Sequence, residues 1–111
     1  MDDRVRECLQ DILEQTREVQ SFTAGITFPM YQADRKTQAA VERKFEIIGE
    51  ALNRIHSADE ELLERIRDYR SIISFRNILA HGYDSVEDRV VWGIIENDLN
   101  SLIEDVSELL F

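Results

Sequence analysis

The chain has 111 residues, 43% of them hydrophobic and 32% charged, which is typical of one globular domain with a single modest core. It contains neither a run of about 18 apolar residues nor a charged and then apolar leader, so we expect no membrane span and no secretion signal and place the protein in the cytoplasm. The formal net charge of −10 argues against tight non-specific binding to nucleic acid. It does not argue against a local basic site, because much of the acidic charge follows residue 86.

Cysteine and histidine are scarce in this sequence. The single Cys8 cannot form a disulfide within the chain, and together with His56 and His81 it supplies too few ligands for a Cys/His metal site. We therefore predict no metal and no cofactor, and we interpret Cys8 as a small core residue. His56 lies at the polar end of a predicted helix, where we expect a structural or incidental role.

The first predicted helix runs from Asp2 to Phe22, because apolar residues recur there at alternating spacings of four and three. The segment Thr23 to Gly25 ends this helix. The next residues, Ile26 to Ala33, include the only proline and are predicted to form a loop that covers the end of the core or contacts another subunit. The apolar positions of the helix are Val5, Leu9, Ile12 and Val19, with Cys8 and Leu13 beside them.

A second helix is predicted from an N-cap at Asp34 to about His56. Gly49 lies inside it, and an interior glycine costs roughly 1 kcal/mol relative to alanine, which is usually compensated by the close approach of a neighbouring helix. The following residue, Glu50, either supports a site or merely faces solvent, and of these two we favour the second. The predicted buried positions are Val41, Phe45, Ile48, Leu52 and Ile55.

Two shorter helices are predicted next. Ser57 with Glu60 three residues later has the pattern of a capping box, which predicts a helix from Ala58 to about Arg67. A break is expected near Asp68, and a further helix from about residue 69 to residue 81. Its predicted buried side carries Ile72, Ile73, Phe75 and Leu79.

The C-terminal part of the chain is predicted to be one helix. Asp84 and Ser85 have the pattern of a turn and an N-cap, with Asp88 completing a second capping box. The helix is predicted from Val86 to Leu110 and should be the longest, with a wide apolar stripe. Because no segment shows strand-like alternation or an internal repeat, we predict an all-α fold. It is one domain, residues 1–111, forming an antiparallel up-and-down bundle of three long helices plus short helices.

The segment FRNILAHGY, residues 75–83, gathers residues suited to phosphate chemistry at a helix end. On a helix, Asn77 and His81 share a face, and Arg76 lies about 140° from His81, a gap that its long side chain can bridge. The segment offers a group that titrates near neutral pH, a permanent forked cation, an amide and a phenol, which together suit an RNA phosphodiester. A simpler interpretation stays open: Arg76 as a surface ion-pair partner, His81 as a helix cap and Tyr83 as a half-buried aromatic residue.

This segment resembles the Arg-x4-His motif of the HEPN superfamily, in which the residue after the arginine is commonly polar, as Asn77 is here. More narrowly, the whole chain resembles the HepT-like toxins. The similarity extends over DDR and LQDILE near the start, FEIIGEAL in the second helix, RNILAHGY, and VVW in the last helix. The order of these blocks along a domain of matching length makes the resemblance fairly specific.

The resemblance implies the toxin of a toxin-antitoxin pair, a metal-independent endoribonuclease that works as a homodimer with two motifs facing each other across a cleft. Arg76 and His81 match the catalytic pair of the family, and Asn77 matches its polar neighbour. Tyr83 matches the tyrosine that the cognate minimal nucleotidyltransferase antitoxin modifies with AMP. One departure is Gly82, where many relatives have an acidic residue, so a carboxylate-assisted step at that position is not expected.

A mechanism follows from the chemistry of these groups. One His81 would act as base on the ribose 2′-OH and the same residue of the dimer mate as acid, while Arg76 holds the phosphate. Beyond the helix end, the phenol of Tyr83 is expected to point toward the mouth of the cleft. Two alternatives stay open: a non-catalytic subunit that binds nucleotide or substrate for a neighbouring nucleotidyltransferase, and a plain dimerisation bundle.

Overall fold

A computed structural model describes all residues, 1–111, and its architecture is all-α, as predicted. The elements in chain order are α1 (Asp3–Thr23), α2 (Phe28–Gln32), α3 (Arg35–Ala58), α4 (Glu60–Leu63), α5 (Tyr69–His81), a 3₁₀ turn (Tyr83–Ser85), α6 (Asp88–Asn97) and α7 (Leu99–Leu110). Helix α1 packs against α3 and α7, and α3 packs against α5. No helix of this chain is both long enough and apolar enough to span a membrane.

The core is formed by the apolar faces of the long helices. Every apolar position predicted on the first two helices is buried, which confirms the spacing analysis of these segments. Cys8 is buried among them, as predicted. Both helices begin where the sequence supplies a cap, since Asp2 accepts a hydrogen bond from the backbone of Arg4 at 2.7 Å and Asp34 accepts one from the backbone of Thr37 at 3.1 Å.

The segment predicted as a loop after α1 contains a helix instead. Thr27 caps α2 through a hydrogen bond from the backbone of Met30, and Pro29 lies in the first turn, where its missing N–H costs nothing. Tyr31 of this short helix is fully buried and packs against Trp92, with ring centroids 5.4 Å apart. The prediction that this segment covers the end of the core is thus confirmed, although its conformation is helical.

The Ser57 capping box is wrong, because α3 continues through Ala58. Asp59 caps the next helix instead, accepting a hydrogen bond from the backbone of Leu62 at 3.1 Å, and α4 ends at Leu63. The break predicted near Asp68 is present. Asp68 has a φ of 62°, a left-handed conformation that ends one helical direction and starts another.

The last predicted helix is two helices, and the longest helix is α3, with 24 residues. Residues 83–85 form a 3₁₀ turn, and no side chain caps α6, so the second capping box is wrong as well. The helix is interrupted at Asp98, whose backbone carbonyl accepts a hydrogen bond from the Ser101 hydroxyl at 3.0 Å. Such local side-chain bonds bend helices without changing the apolar periodicity, which is why the interruption is invisible in the pattern.

Candidate functional site

The end of α5 is held in place by its apolar face. Phe75 packs edge-on against Phe45 of α3, with ring centroids 5.6 Å apart, and Ile72 and Leu79 are buried beside it. This packing leaves the polar residues of the segment on the outer side of the helix. The helix ends at His81, as predicted, and Gly82 caps it, its N–H donating to the carbonyl of Ile78 at 2.8 Å.

Gly49 gives the side chain of Arg76 its place against α3. A β-carbon added at Gly49 would lie 2.3 Å from Cβ and 2.6 Å from Cγ of Arg76, distances that no packed structure tolerates. The clash involves the base of the arginine side chain, which cannot swing away without moving α5. The predicted close approach at this glycine is therefore confirmed, and the residue that approaches is the arginine of the motif.

Glu50 fixes the guanidinium of Arg76. Its Oε2 accepts a hydrogen bond from Nη2 of Arg76 at 2.7 Å, and its Oε1 lies 3.6 Å from Nε of Arg54 on the next turn of α3. Of the two alternatives left open for Glu50, the supporting role is the one observed, because its carboxylate binds Arg76 although part of the side chain stays exposed. Nη1 of Arg76 donates to Oδ1 of Asn77 at 3.2 Å, so the guanidinium is oriented by two neighbours.

His81 and Asn77 are both exposed on the outer side of α5. The guanidinium of Arg76 turns toward Glu50 and makes no hydrogen bond to His81. The imidazole of His81 makes no hydrogen bond and no ion pair within the chain. A cation at this position would complement the partial negative charge at the end of α5.

The hydroxyl of Tyr83 contacts Glu42 of α3. It lies 3.1 Å and 3.2 Å from the two carboxylate oxygens of Glu42, to which it donates. This hydrogen bond, followed by the negative charge of Glu42, raises the pKa of the phenol above its ordinary range. The ring itself is 58% exposed, and among the large apolar and aromatic side chains only Phe111 is more exposed.

A groove of about 440 Å³ runs beside Arg76 between α3 and α5. Positive and negative side chains are paired along its walls. Arg43 lies 3.5 Å from Glu46, and Arg54 and Arg76 both form ion pairs with Glu50. Neither His81 nor Tyr83 lines this groove. The lining residues are Asp11, Arg43, Glu46, Ile47, Glu50, Ala51, Arg54, Arg76 and Ala80.

The other histidine lies away from this cluster. His56 is in the last turn of α3, exposed, with Nε2 3.6 Å from Oε1 of Glu60. No three side chains of the His, Cys, Asp and Glu types lie close enough together to hold a metal ion.

Comparison with known proteins identifies the family of this chain. The family model described as ribonuclease HepT-like matches residues 12–109, so the chain belongs to the ribonuclease HepT-like family, and the resemblance noted in the sequence is confirmed. A protein of Thermococcus cleftensis named probable ribonuclease HepT is 37% identical over 97 residues, covering 87% of each chain. A protein of Methanocaldococcus jannaschii, named only as a candidate RNase, is 31% identical over 108 residues, covering 96% of this chain and 87% of its own. No solved structure matches this chain.

Sequence reasoning missed two residues of this region. The position of Glu50 gave some indication of a role, because it follows the interior glycine and lies one helical turn before Arg54. Its partner Arg76, however, is 26 residues away along the chain. Nothing in the sequence indicated a role for Glu42, because a single carboxylate on a helix does not show that the distant Tyr83 will contact it. Both contacts depend on how α5 crosses α3, which the periodicity of either helix leaves undetermined.

Proposed function

We propose that this protein is a metal-independent endoribonuclease and the toxin of a toxin-antitoxin pair. The observation that carries the proposal is the position of Arg76 and His81 at the end of α5, the arginine anchored by Gly49 and Glu50 and the histidine exposed beside it. Membership in the ribonuclease HepT-like family and the ribonuclease names of the relatives support the same chemistry.

In this proposal Arg76 holds the scissile phosphate. A guanidinium has five N–H donors, and only two are engaged by Glu50 and Asn77, so others remain for phosphate oxygens. The same donors stabilise the additional negative charge of the phosphorane as the 2′-oxygen attacks. Asn77 supports the arginine and offers its amide to the substrate.

The proton transfers require a base and an acid. His81 takes the proton of the ribose 2′-OH on an imidazole nitrogen and so acts as the general base. The 5′-oxygen must receive a proton as it leaves, and one chain has only one histidine at this place. We therefore propose a homodimer in which His81 of the partner subunit is the acid, so that two motifs form one cleavage site.

Control of the toxin is proposed to act at Tyr83. A cognate minimal nucleotidyltransferase, the antitoxin, adds AMP to its hydroxyl. The bulk and negative charge of AMP beside the end of α5 would repel RNA from Arg76 and His81. The exposure of the Tyr83 ring and its place two residues after His81 support this role. If Tyr83→Phe were still modified and silenced by the antitoxin, another residue would be the target.

The test of the cleavage mechanism is the chemistry of the product ends. Purified protein incubated with a defined RNA should leave a 2′,3′-cyclic phosphate and a 5′-OH, with the same rate in EDTA as without it. Such ends are expected when the 2′-oxygen is the nucleophile. A 5′-phosphate end, or loss of cleavage in the chelator, would contradict the mechanism.

A second candidate is favoured by the net charge of −10 and by the carboxylates that face the arginines of the groove. In it the chain is a non-catalytic subunit that binds nucleotide or substrate for a neighbouring nucleotidyltransferase, with Arg76 on phosphate. Induction in a bacterial host separates the two functions. A toxin arrests growth and Arg76→Ala relieves the arrest without unfolding the chain, whereas folded, unmodified wild-type protein that leaves growth unaffected would favour the accessory subunit.

A further inference from the structure

Glu42 is a buried carboxylate whose only hydrogen-bond partner is an exposed tyrosine. It lies on the inner side of α3 with 9% of its surface exposed, and both of its oxygens are within 3.2 Å of the Tyr83 hydroxyl. No lysine or arginine forms an ion pair with it. The other buried carboxylate, Asp105, is bound by the side chain and backbone of Arg67. A buried acid without a cation is costly to the fold, which points to a use other than stability.

Tyr83 is the accessible member of the three tyrosines. Tyr31 is fully buried, and Tyr69 is 6% exposed with its hydroxyl donated to Glu64 at 2.7 Å. Only Tyr83 presents both an exposed ring and a hydroxyl next to a buried base. A nucleophile within hydrogen-bond distance of a base is the arrangement that activates a hydroxyl for group transfer.

We propose that Glu42 is the general base that activates Tyr83 for nucleotidyl transfer. This inference rests on the proposed modification of Tyr83 and adds the group that makes it chemically possible. The phenolic oxygen forms a bond to the α-phosphorus of a nucleoside triphosphate held by the partner enzyme. The bond from that phosphorus to the bridging oxygen breaks, pyrophosphate leaves with the bond's electron pair, and the phenolic proton passes to Glu42.

The electrostatics of the pair agree with this role. Tyr83 keeps its proton at neutral pH, as a phenol ordinarily does, and the hydrogen bond to Glu42 raises the pKa of the phenol further, so a base must remove the proton during transfer. Burial raises the pKa of Glu42, which makes it a stronger base, while the hydrogen bond from Tyr83 lowers that pKa. The groups that face Glu42 are Arg35 and Glu46 on α3, Tyr31 on α2, Asp88 at the start of α6 and Tyr83 itself.

The experiment measures the initial rate of AMP addition to the full-length chain by its neighbouring nucleotidyltransferase with Mg-ATP, followed by intact mass and peptide mapping from pH 5 to 8.5. Glu42→Gln keeps the shape and an acceptor oxygen but cannot take a proton. We expect its rate to fall by about 10²-fold or more and to lose the rise with pH that the wild type shows as Glu42 ionises. Glu42→Asp, which retains a carboxylate, should keep part of the rate and the pH dependence.

The matched control is Glu64→Gln, which alters the other tyrosine–carboxylate pair and should leave the rate and the pH profile unchanged. Circular dichroism confirms that each variant is folded. Modification of Glu42→Gln at the wild-type rate, with an unchanged pH profile, would overturn the role of Glu42 alone. Wild-type protein that gains no AMP at Tyr83 would overturn the proposed modification itself, and with it this inference, while the RNA-cleavage proposal keeps its own test.

Discussion

The polar side chains at the two ends of α5 differ in how many hydrogen bonds they make within the chain. At the beginning, Arg67 clamps the loop before the helix onto Asp105 of α7, with the backbone N–H at 2.8 Å and Nη2 at 2.8 Å from the carboxylate. Further along the helix, Arg76 is only partly engaged, and His81, about 18 Å from Tyr69 along the axis, has no side-chain partner. Arg67 at the first end makes four hydrogen bonds to one carboxylate, whereas Arg76 and His81 at the second keep donors free.

The difference shows which buried carboxylate of this fold is neutralised by a cation and which is not. Burial opposes ionisation of Asp105, but the hydrogen bonds from Arg67 outweigh it and lower the pKa of the carboxyl. Glu42, buried near the other end of α5, has only a phenol as donor, and burial raises its pKa. A buried carboxylate is therefore bound by a cation at one end and has only a phenol as partner at the other.

The largest effect is expected from Gly49→Ala. The new methyl group would overlap Cβ and Cγ of Arg76, so α5 must shift and the arginine must leave its place. We expect RNA cleavage to fall by about 100-fold and the free energy of unfolding to fall by roughly 1–3 kcal/mol. The control is Gly93→Ala in α6, where an added β-carbon meets nothing within 4 Å and should stabilise the chain by roughly 0.5–1 kcal/mol. Equal behaviour of the two variants in both assays would contradict the account of Gly49.

Asp105→Asn should act on stability alone. The amide loses the charge-assisted hydrogen bonds from Arg67, and we expect the free energy of unfolding at pH 7 to fall by roughly 2–3 kcal/mol while cleavage by the folded protein is unchanged. Because the pKa of Asp105 is lowered in the folded chain, its contribution is present above the ordinary value of 3.8 and is lost as the pH falls through the lower value. Urea unfolding from pH 7 to pH 2 measures this. A variant as stable as the wild type at pH 7 would show that the clamp contributes nothing.

Glu50→Gln should have the opposite effect to Asp105→Asn, lowering cleavage while leaving stability nearly unchanged. The amide keeps an oxygen near Nη2 of Arg76 but not the charge that orients the guanidinium, so we expect cleavage to fall by about tenfold with little change in the melting temperature. The matched control is Glu46→Gln, one turn earlier on α3, whose partner Arg43 is exposed. Loss of activity in both variants alike would indicate a general effect of groove charge instead of an effect on Arg76.

The smallest effect is expected from Glu42→Gln on stability. Because the pKa of Glu42 is raised in the folded chain, its favourable contribution is present below the ordinary value of 4.5 and is lost as the pH rises through the raised value. The amide does not ionise, so above this range the variant should melt at the same temperature as the wild type or slightly higher, a gain of about 1 kcal/mol or less. Thermal melts from pH 4 to pH 8 measure the difference. A marked loss of stability at pH 7 would assign Glu42 a structural role like that of Asp105.

Most of the fold was predictable because it depends on local patterns. The apolar spacing of Leu9, Phe45 and Leu52 placed them correctly in the core, and Asp34 marked the start of α3. The errors fall where two local signals compete, as at Ser57 and Asp59, or where a helix is interrupted without proline or glycine, as at Asp98. In both cases the sequence pattern is compatible with a helix that continues and with a helix that ends, and tertiary packing determines which of the two forms.

The candidate site was predictable in its residues but not in its contacts. The segment containing Arg76 and His81 could be identified from residue types and family resemblance, and Gly49 indicated that something lies close to α3. The hydrogen bonds from Arg76 to Glu50 and from Tyr83 to Glu42 span 26 and 41 residues along the chain. Such contacts are set by the crossing of two helices, which single-sequence periodicity does not specify.

The most direct measurement is the rate of RNA cleavage by purified His81→Ala beside His56→Ala. Each variant removes one exposed histidine from the last turn of a helix, and both should fold like the wild type. If the end of α5 is the cleavage site, the rate falls by about 10²-fold or more in His81→Ala and stays within about twofold of the wild type in His56→Ala. Wild-type cleavage by folded His81→Ala would contradict the assignment of this helix end as the ribonuclease site.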